Sequence, residues 1–157
     1  PPRVQRKDVG SAQEMFDAVM AEIDGFDIIV ATAAVADYRP AAVAADKIKK
    51  QAADTLTLEL VKNPDIIASV AALARKPFTV GFAAETQCVA EYARDKMQRK
   101  KLDMIVANDV SQAGIGFSSD DNAATVFWCD GQQEFPVMSK QQLAENIVRL
   151  IAKHNNK

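Results

Sequence analysis

The stretch "DIIVATAAVADYRP", residues 27–40, joins an apolar run to a polar loop. Its first part, Asp27 to Ala34, does not alternate between apolar and polar residues, which is typical of a parallel β-strand covered on both faces by helices. Two later runs, "FTVGFAA" and "MIVANDV", have the same character. The sequence therefore predicts three buried strands at the centre of the fold.

Helical patterns lie between these strands. Ser11 and Glu14 form an S-x-x-E capping box ahead of apolar residues at helical spacing. In "NPDIIASVAALA", Asn63 is expected to cap a helix and Pro64 to take its first position. This alternation predicts an α/β, Rossmann-like, doubly wound domain with a mostly parallel sheet.

The C-terminal part follows a different pattern. "NAATVFWCDGQQEFPVM" has an Asp130-Gly131 turn between two β-prone segments, which predicts a hairpin. Ser139 and Gln142 open a final amphipathic helix. The hairpin is expected to be a sheet edge or an interaction surface. Because no linker or repeat interrupts the chain, residues 1–157 are predicted to form a single domain.

Composition argues against several classes of protein. The net charge of -2, from 21 acidic and 19 basic residues, gives no overall attraction to nucleic acid or to an anionic membrane. No apolar stretch approaches the roughly 20 residues that span a bilayer, and a cytoplasmic location is predicted. Cys88 and Cys129 lack metal-site spacing and are expected to be packed, reduced thiols, while His154 lies in a polar tail.

The loops after the three buried strands are expected to converge, since ligands of doubly wound sheets bind outside the carboxyl ends of the strands. No G-x-G-x-x-G or G-x-x-x-x-G-K-[ST] motif is present. Asp37 could orient a ligand or its magnesium ion, or it could pair with Arg39. Asn108 and Asp109 could bind a ligand, although a loop cap is the favoured interpretation.

Three stretches could hold a phosphate, and each has a plain structural alternative. The "NPDI" helix start offers free backbone N–H groups, or is only a helix cap. A helix predicted over about 86–101 carries lysines beside its apolar stripe. These lysines could bind a phosphate, or they could belong to an ordinary solvated basic face. A loop poor in bulky apolar residues is expected to be mobile and ends in a cluster of basic residues: Lys47, Lys49 and Lys50.

The motifs "AAVADYRP", "KIKK", "VKNPDI", "VGFAAET", "ANDVS" and "GFSSDDNAA" occur in this order. Together they resemble the phosphopantothenoylcysteine synthetase domain family of bacterial bifunctional coenzyme A biosynthesis proteins, from about Lys7 to Ile151. The resemblance implies a ligase that uses CTP to activate the carboxylate of 4'-phosphopantothenate as an acyl-cytidylate, with release of pyrophosphate. Cysteine then attacks the acyl carbon, and CMP leaves.

The resemblance also implies roles for individual residues. Lys47, the first lysine of "KIKK", would assist the first step from a flexible loop. Phe82 would lie near the base, Lys96 and Lys100 would contact the triphosphate, and Mg²⁺ would accompany CTP. The implied nucleotide-binding residues are Ala33, Ala34, Asp37, Asn63, Pro64, Asp65, Ile66, Phe82, Lys96 and Lys100.

Members of the resembled family are expected to form homodimers, and many are fused to a flavin-dependent decarboxylase domain. No flavin is predicted for this chain. The family's domain starts with a further βαβ region that carries an "SNxSSG"-like motif, and this chain starts downstream of it at "PPRVQRKDV". We therefore expect most of the CTP site and an incomplete acyl-transfer site. The alternatives are a nicotinamide-binding oxidoreductase and a non-catalytic module that self-associates through the hairpin.

Overall fold

The computed structural model describes residues 3–49, 55–85, 88–109 and 119–155. No helix within these ranges is both long and apolar enough to cross a membrane. The α-helices in these ranges are α1 (Ala12–Glu22), α2 (Ile66–Ala71), α3 (Val89–Arg99) and α4 (Lys140–Asn155), and a short 3-10 helix, Ile23–Gly25, follows α1. The strands are β1 (Ile28–Ala31), β2 (Tyr38–Pro40), β3 (Leu60–Lys62), β4 (Phe78–Glu85), β5 (Met104–Asp109), β6 (Asp121–Trp128) and β7 (Gly131–Ser139).

The main sheet has five strands in the order β1-β4-β5-β6-β7. β1, β4 and β5 run parallel, and β6 and β7 are antiparallel to their neighbours. The α/β class and the C-terminal hairpin followed by a helix are confirmed, and the sheet is mixed. The two-residue connection between β6 and β7 requires antiparallel pairing, whereas the parallel strands are joined by helical crossovers.

Helices cover both faces of the sheet. On one face, Val80, Met104 and Val106 pack against the apolar stripe of α4. On the other face, Ile105 and Ala107 pack against α3, whose contacting residues are Ala93 and Met97. Alternate residues of β5 thus point into two different apolar clusters, which explains why its sequence shows no polar alternation.

β1 differs from its prediction. The strand ends at Ala31 rather than Ala34, and its residues are not fully buried. Val30 is 42% exposed. In the described part of the chain, β1 pairs only with β4 and lies at the end of the sheet. The prediction of a strand covered on both faces was therefore wrong for β1, although it holds for β5.

A separate two-stranded sheet projects from the loop that follows β1. β2 pairs with β3 in antiparallel orientation, and the Ala41 N–H donates to the Glu59 carbonyl at 2.9 Å. We call residues 38–49 and 55–62 the arm. Its exposed apolar side chains include Tyr38, Val43, Leu56, Leu58 and Leu60.

The side-chain caps expected at Ser11 and Ser139 are both present. The Ser11 hydroxyl accepts from the Glu14 N–H at 3.2 Å, and the Glu14 carboxylate accepts from the Gly10 N–H at 2.7 Å. At the start of α4, the Ser139 hydroxyl accepts from the Gln142 N–H at 3.3 Å. These caps could be predicted from the sequence because every hydrogen-bond partner lies within four residues.

The two cysteines and the histidine are placed differently from their predictions. Cys88 and Cys129 are both exposed, so the prediction of packed thiols was wrong. Cys88 precedes α3, and Cys129 forms the hairpin turn. His154 lies within α4 rather than in a frayed tail, and its ring centroid is 4.6 Å from that of Trp128. The apolar stripe of α4 extends the helix far enough to bring His154 onto the sheet.

Gly131 begins β7 rather than forming part of the turn, which consists of Cys129 and Asp130. A Cβ atom at Gly131 would lie 2.8 Å from the Trp128 ring. The glycine is thus required by close packing against an aromatic ring. The hairpin occupies the edge of the sheet, which was one of the two predicted placements.

Candidate functional site

The three parallel strands do not all end at the same level of the sheet. The last residue of β1, Ala31, is in register with Gly81 in the middle of β4, and Gly81 is in register with Ile105 near the start of β5. β4 and β5 end together, with Glu85 in register with Asp109. The loop that leaves β1 therefore starts beside the middle of β4. The convergence of the three loops stays a prediction, because residues 86–87 and 110–118, which follow β4 and β5, lie outside the described residues.

Asn63 ties the loop after β1 to the start of α2. Its backbone N–H donates to the Asp37 carbonyl at 2.8 Å, and its side-chain amide donates to the Ala36 carbonyl at 2.8 Å. Its side-chain oxygen accepts from Arg39 at 3.0 Å. An asparagine amide can donate and accept at once, so one side chain joins two segments that are far apart in the chain.

The N-cap of α2 is Asp65, and the predictions that Asn63 caps the helix and Pro64 takes its first position were wrong. The Asp65 carboxylate accepts from the Ala68 N–H at 3.2 Å, in the usual N-cap geometry. Asn63 is unavailable as a cap because its side chain is engaged with the other loop. Pro64 precedes the cap, and Ile66 is the first helical residue.

The two lysines implied for the triphosphate lie at half-buried positions on α3 and at its end. The Lys96 ammonium donates to the Phe82 carbonyl at 2.9 Å. The Lys100 ammonium pairs with the Asp65 carboxylate at 2.7 Å. Residues from three separate stretches, the "NPDI" helix start, β4 and α3, are thereby brought together.

The end of α3 is set by a Schellman motif. The Leu102 N–H donates to the Met97 carbonyl at 2.9 Å, and the Lys101 N–H donates to the Gln98 carbonyl at 3.1 Å. Lys101 has a φ of 56°, a left-handed conformation that more commonly uses glycine. Leu102 and Met97 lie in one apolar cluster, and their packing stabilises the motif. The motif in turn fixes Lys100 as the C-cap residue.

The other flank of α3 is held by Arg94. Its guanidinium lies 4.7 Å from the centre of the Phe127 ring and donates to the Gln132 side chain at 2.7 Å. These contacts fasten α3 to the β6–β7 hairpin. The helix was predicted over about 86–101 and is observed over Val89–Arg99, with residues 86–87 outside the described ranges.

Other implied site residues lie in exposed segments. Ala33, Ala34 and Asp37 follow β1 in an exposed loop. The predicted alternative for Asp37, pairing with Arg39, is not seen: the guanidinium donates instead to the Lys62 carbonyl and to Asn63, each at 3.0 Å. Lys47 is exposed in the arm. Its neighbours in the basic cluster are Lys49, also exposed, and Lys50, which lies outside the described residues.

Asn108 presents a buried acceptor at the carboxyl end of β5. Its side-chain oxygen has no hydrogen-bond partner among the described residues. A buried acceptor without a donor is unfavourable by roughly 1–3 kcal/mol. Asn108 is in register with Ala84 of β4, so this acceptor lies near the carboxyl ends of both strands. The loop that follows, residues 110–118, lies outside the described residues, so the interpretation of Asn108 as a loop cap stays a prediction.

A polar cluster that the sequence did not reveal lies at the opposite, amino edge of the sheet. The Asp103 carboxylate accepts from the Lys76 ammonium at 2.5 Å and from both the N–H and the hydroxyl of Thr79 at 2.8 Å. Burial raises the pKa of Asp103, but these hydrogen bonds and the charge of Lys76 outweigh it, so the pKa lies below its ordinary value. The cluster joins the starts of β4 and β5.

With this geometry established, the chain can be compared with known proteins. Residues 1–154 match the model of the family described as DNA/pantothenate metabolism flavoprotein C-terminal domain. The chain belongs to this family. Its curated relatives include the coenzyme A biosynthesis bifunctional protein CoaBC of Vibrio cholerae, 60% identical over 153 residues. The Escherichia coli (strain K12) protein of the same name is 51% identical over 161 residues.

These relatives are longer than the chain. The match covers 96% of the chain but 38% of the Vibrio cholerae protein, and 100% of the chain but 40% of the Escherichia coli protein. The crystal structure of the C-terminal domain of CoaBC is 33% identical, with a TM-score of 0.78, and the match covers all of the chain and 69% of that domain. A family structure from Streptococcus pneumoniae has the same TM-score at 19% identity and shows the shared fold alone. The chain thus spans about two fifths of these curated relatives and about two thirds of the solved C-terminal domain.

Proposed function

We propose that this chain carries the CTP site of a phosphopantothenate–cysteine ligase in coenzyme A biosynthesis. The observation that supports it most directly is a pair of contacts made by the two lysines, Lys100 with the Asp65 carboxylate and Lys96 with the Phe82 carbonyl, which bring α3, β4 and the start of α2 together. The relatives' names supply the pathway, since both are coenzyme A biosynthesis proteins. The sequence motifs supply the reaction that the family resemblance implies.

In the first step, a carboxylate oxygen of 4'-phosphopantothenate attacks the α-phosphorus of CTP, and pyrophosphate leaves. Negative charge accumulates on the departing phosphates. Lys96 and Lys100 would offset that charge from α3, and Lys47 would approach it from the arm. In the second step, the cysteine amine attacks the acyl carbon, an amide bond forms, and the acyl–phosphate bond breaks to release CMP.

The site also has to select a base. In this proposal, Ala33, Ala34 and Asp37 form the wall beside the nucleotide, and the backbone near Phe82 faces the base. The carbonyl of Phe82 already accepts from Lys96, and its side chain packs against the apolar cluster under α4. Because this backbone is fixed, its hydrogen-bonding groups can bind the edge of the base without first rearranging.

Magnesium fits this arrangement as a companion of CTP rather than as a resident metal. Among the described residues, no group of three or more His, Cys, Asp or Glu side chains could hold a metal ion. Magnesium at nucleotide sites is usually held by one or two carboxylates together with the substrate phosphates. Asp37, exposed beside Asn63, is the carboxylate we propose for this role. When bound, the ion would neutralise part of the phosphate charge.

The proposal predicts that the chain binds CTP in preference to ATP. Isothermal titration with each nucleotide and Mg²⁺ should show binding of CTP and an affinity for ATP at least about tenfold lower, as hydrogen-bonded base recognition allows. The variant Lys96→Met should weaken CTP binding about tenfold, because one charged hydrogen-bond donor is lost. Lys140→Met, at the exposed start of α4, is the matched control. Equal affinities for CTP and ATP, or no CTP binding, would contradict the proposal.

Further parts of the proposal concern the longer protein. The relatives are named bifunctional, and the chain spans about two fifths of their length. We propose that a flavin-dependent decarboxylase domain accompanies this domain in the same polypeptide. The expectation that no flavin binds to the described chain itself stays a prediction.

We also propose that the domain forms a homodimer through the arm. Val43 is 90% exposed, and several leucines of β3 and the segment before it are also exposed. An apolar patch of this kind usually marks an interaction surface. Light scattering should give a dimer for the unaltered chain and a monomer for the double variant Leu58→Glu, Leu60→Glu. The double variant Val137→Glu, Val148→Glu changes two apolar residues that are exposed outside the arm, and it should have the same mass in solution as the unaltered chain. A dimer that survives the arm substitutions would refute the arm interface.

A further inference from the structure

The ion pair between Lys100 and Asp65 places an anion of the protein itself where the proposed function requires a phosphate. The Lys100 side chain is only 19% exposed, whereas that of Asp65 is 46% exposed. One carboxylate oxygen accepts from the Ala68 N–H, and the other contacts the Lys100 ammonium. Asp65 therefore occupies the Lys100 ammonium, the charged donor that an incoming phosphate would use.

We propose that Asp65 is an internal competitor for phosphate and so determines which phosphate groups the site retains. It holds Lys100 in the ligand-free protein and yields it to a ligand that carries enough negative charge. The proposal rests on the proposed function and adds a specificity-determining residue to it. It explains how one site could bind a triphosphate and then release the monophosphate product.

The charge of Asp65 is not needed to cap α2, because asparagine is about as effective an N-cap as aspartate. The charge is instead directed at Lys100. Lys96 and Lys100 are four residues apart on α3, a spacing at which like charges repel. Pairing with Asp65 relieves this repulsion when no ligand is present, while Lys96 donates to the Phe82 carbonyl.

The exposure of the pair makes it displaceable. Ion pairs between partly solvated side chains are weak, so a polyphosphate that brings several charges can take Lys100 from Asp65. A monophosphate brings fewer charges and reaches fewer donors, and it therefore competes less well. A fully buried pair would not exchange in this way, because separating it would leave an uncompensated charge out of water.

The test is the variant Asp65→Asn, which removes the charge and keeps the cap. Isothermal titration with inorganic pyrophosphate should show about three- to fivefold tighter binding than in the unaltered protein, since the competing carboxylate is gone. In a Lys100→Met background the same substitution should change the affinity less than twofold. Asp95→Asn removes a charge from the exposed face of α3, where Asp95 pairs with Arg99, and should also change it less than twofold.

Each result has a distinct meaning. If the unaltered protein binds CTP but Asp65→Asn binds pyrophosphate no more tightly, Asp65 only positions Lys100, and the inference is overturned while the proposed function stands. If neither protein binds CTP or pyrophosphate, the proposed function fails and the inference fails with it. Pyrophosphate binding by the variant alone would support the inference. Asp65→Ser, which also keeps an N-cap side chain, gives the same test if the asparagine variant does not fold.

Discussion

In a complete synthetase that contains this chain, Lys47→Gln is expected to slow acyl-cytidylate formation about 100-fold, the scale of losing one donor aimed at developing charge. Lys47 is exposed on the arm, so its removal should not unfold the protein. Its effect is expected in the transition state, where departing pyrophosphate concentrates negative charge. CTP affinity should therefore change by less than about threefold, as for a group that acts on kcat rather than on ground-state binding.

The measurement is pyrophosphate release in a single turnover with phosphopantothenate and CTP. Lys49→Gln removes the same charge from the same segment two residues away and is the matched control. A large loss for Lys47→Gln with a small loss for Lys49→Gln would support a specific role for Lys47. Equal losses would indicate a general effect of loop charge, and unchanged turnover in both variants would reject the role altogether.

The second large effect is expected for Asp103. Asp103→Ala should lower the free energy of unfolding by about 2–3 kcal/mol, because a half-buried ammonium, hydroxyl and N–H lose their shared acceptor. Those donors belong to Lys76 and Thr79, and Thr79 is fully buried. Urea unfolding followed by circular dichroism would measure the loss. Asp24→Ala, at an exposed turn, should change stability by less than about 0.5 kcal/mol; a similarly small change for Asp103→Ala would contradict the prediction.

The contribution of Asp103 should also depend on pH in a defined direction. Its pKa in the folded protein lies below the ordinary value of about 3.9, so the folded state favours the ionised carboxylate. The resulting stability is present above the unfolded pKa and is lost as pH falls through the folded pKa. The stability difference between the unaltered protein and Asp103→Asn should be constant from about pH 5 to 7 and shrink below about pH 4. A difference that grows on acidification would have the wrong sign.

Much of the fold could be predicted because its signals are local. The continuous apolar runs of β4 and β5 are typical of strands buried on both faces. The caps at Ser11 and Ser139 involve partners within four residues. The hairpin was visible from its turn residues. Each of these features depends on neighbours in the chain, and a sequence displays such neighbours directly.

Less of the site could be predicted from the sequence, because its contacts join residues that are far apart in the chain. Asn63 and Asp65 are both good N-cap residues, and only the position of the loop after β1 decides that Asn63 binds Ala36 and leaves the cap to Asp65. The motifs indicated which residues belong together, but not that Lys100 would meet a carboxylate. Asp103 and Thr79 gave no signal, since their bonds depend on the register of two strands.

The sequence by itself determined the α/β class, the order of the elements and the family to which "DIIVATAAVADYRP" and the other motifs belong. The tertiary structure decided that the strand in this stretch ends at Ala31, that the arm pairs β2 with β3, and that Lys100 faces Asp65. The physical reason is the range of the forces involved. Backbone propensity and capping act within a few residues, whereas ion pairs, strand edges and buried hydrogen bonds depend on which distant segments are packed against each other.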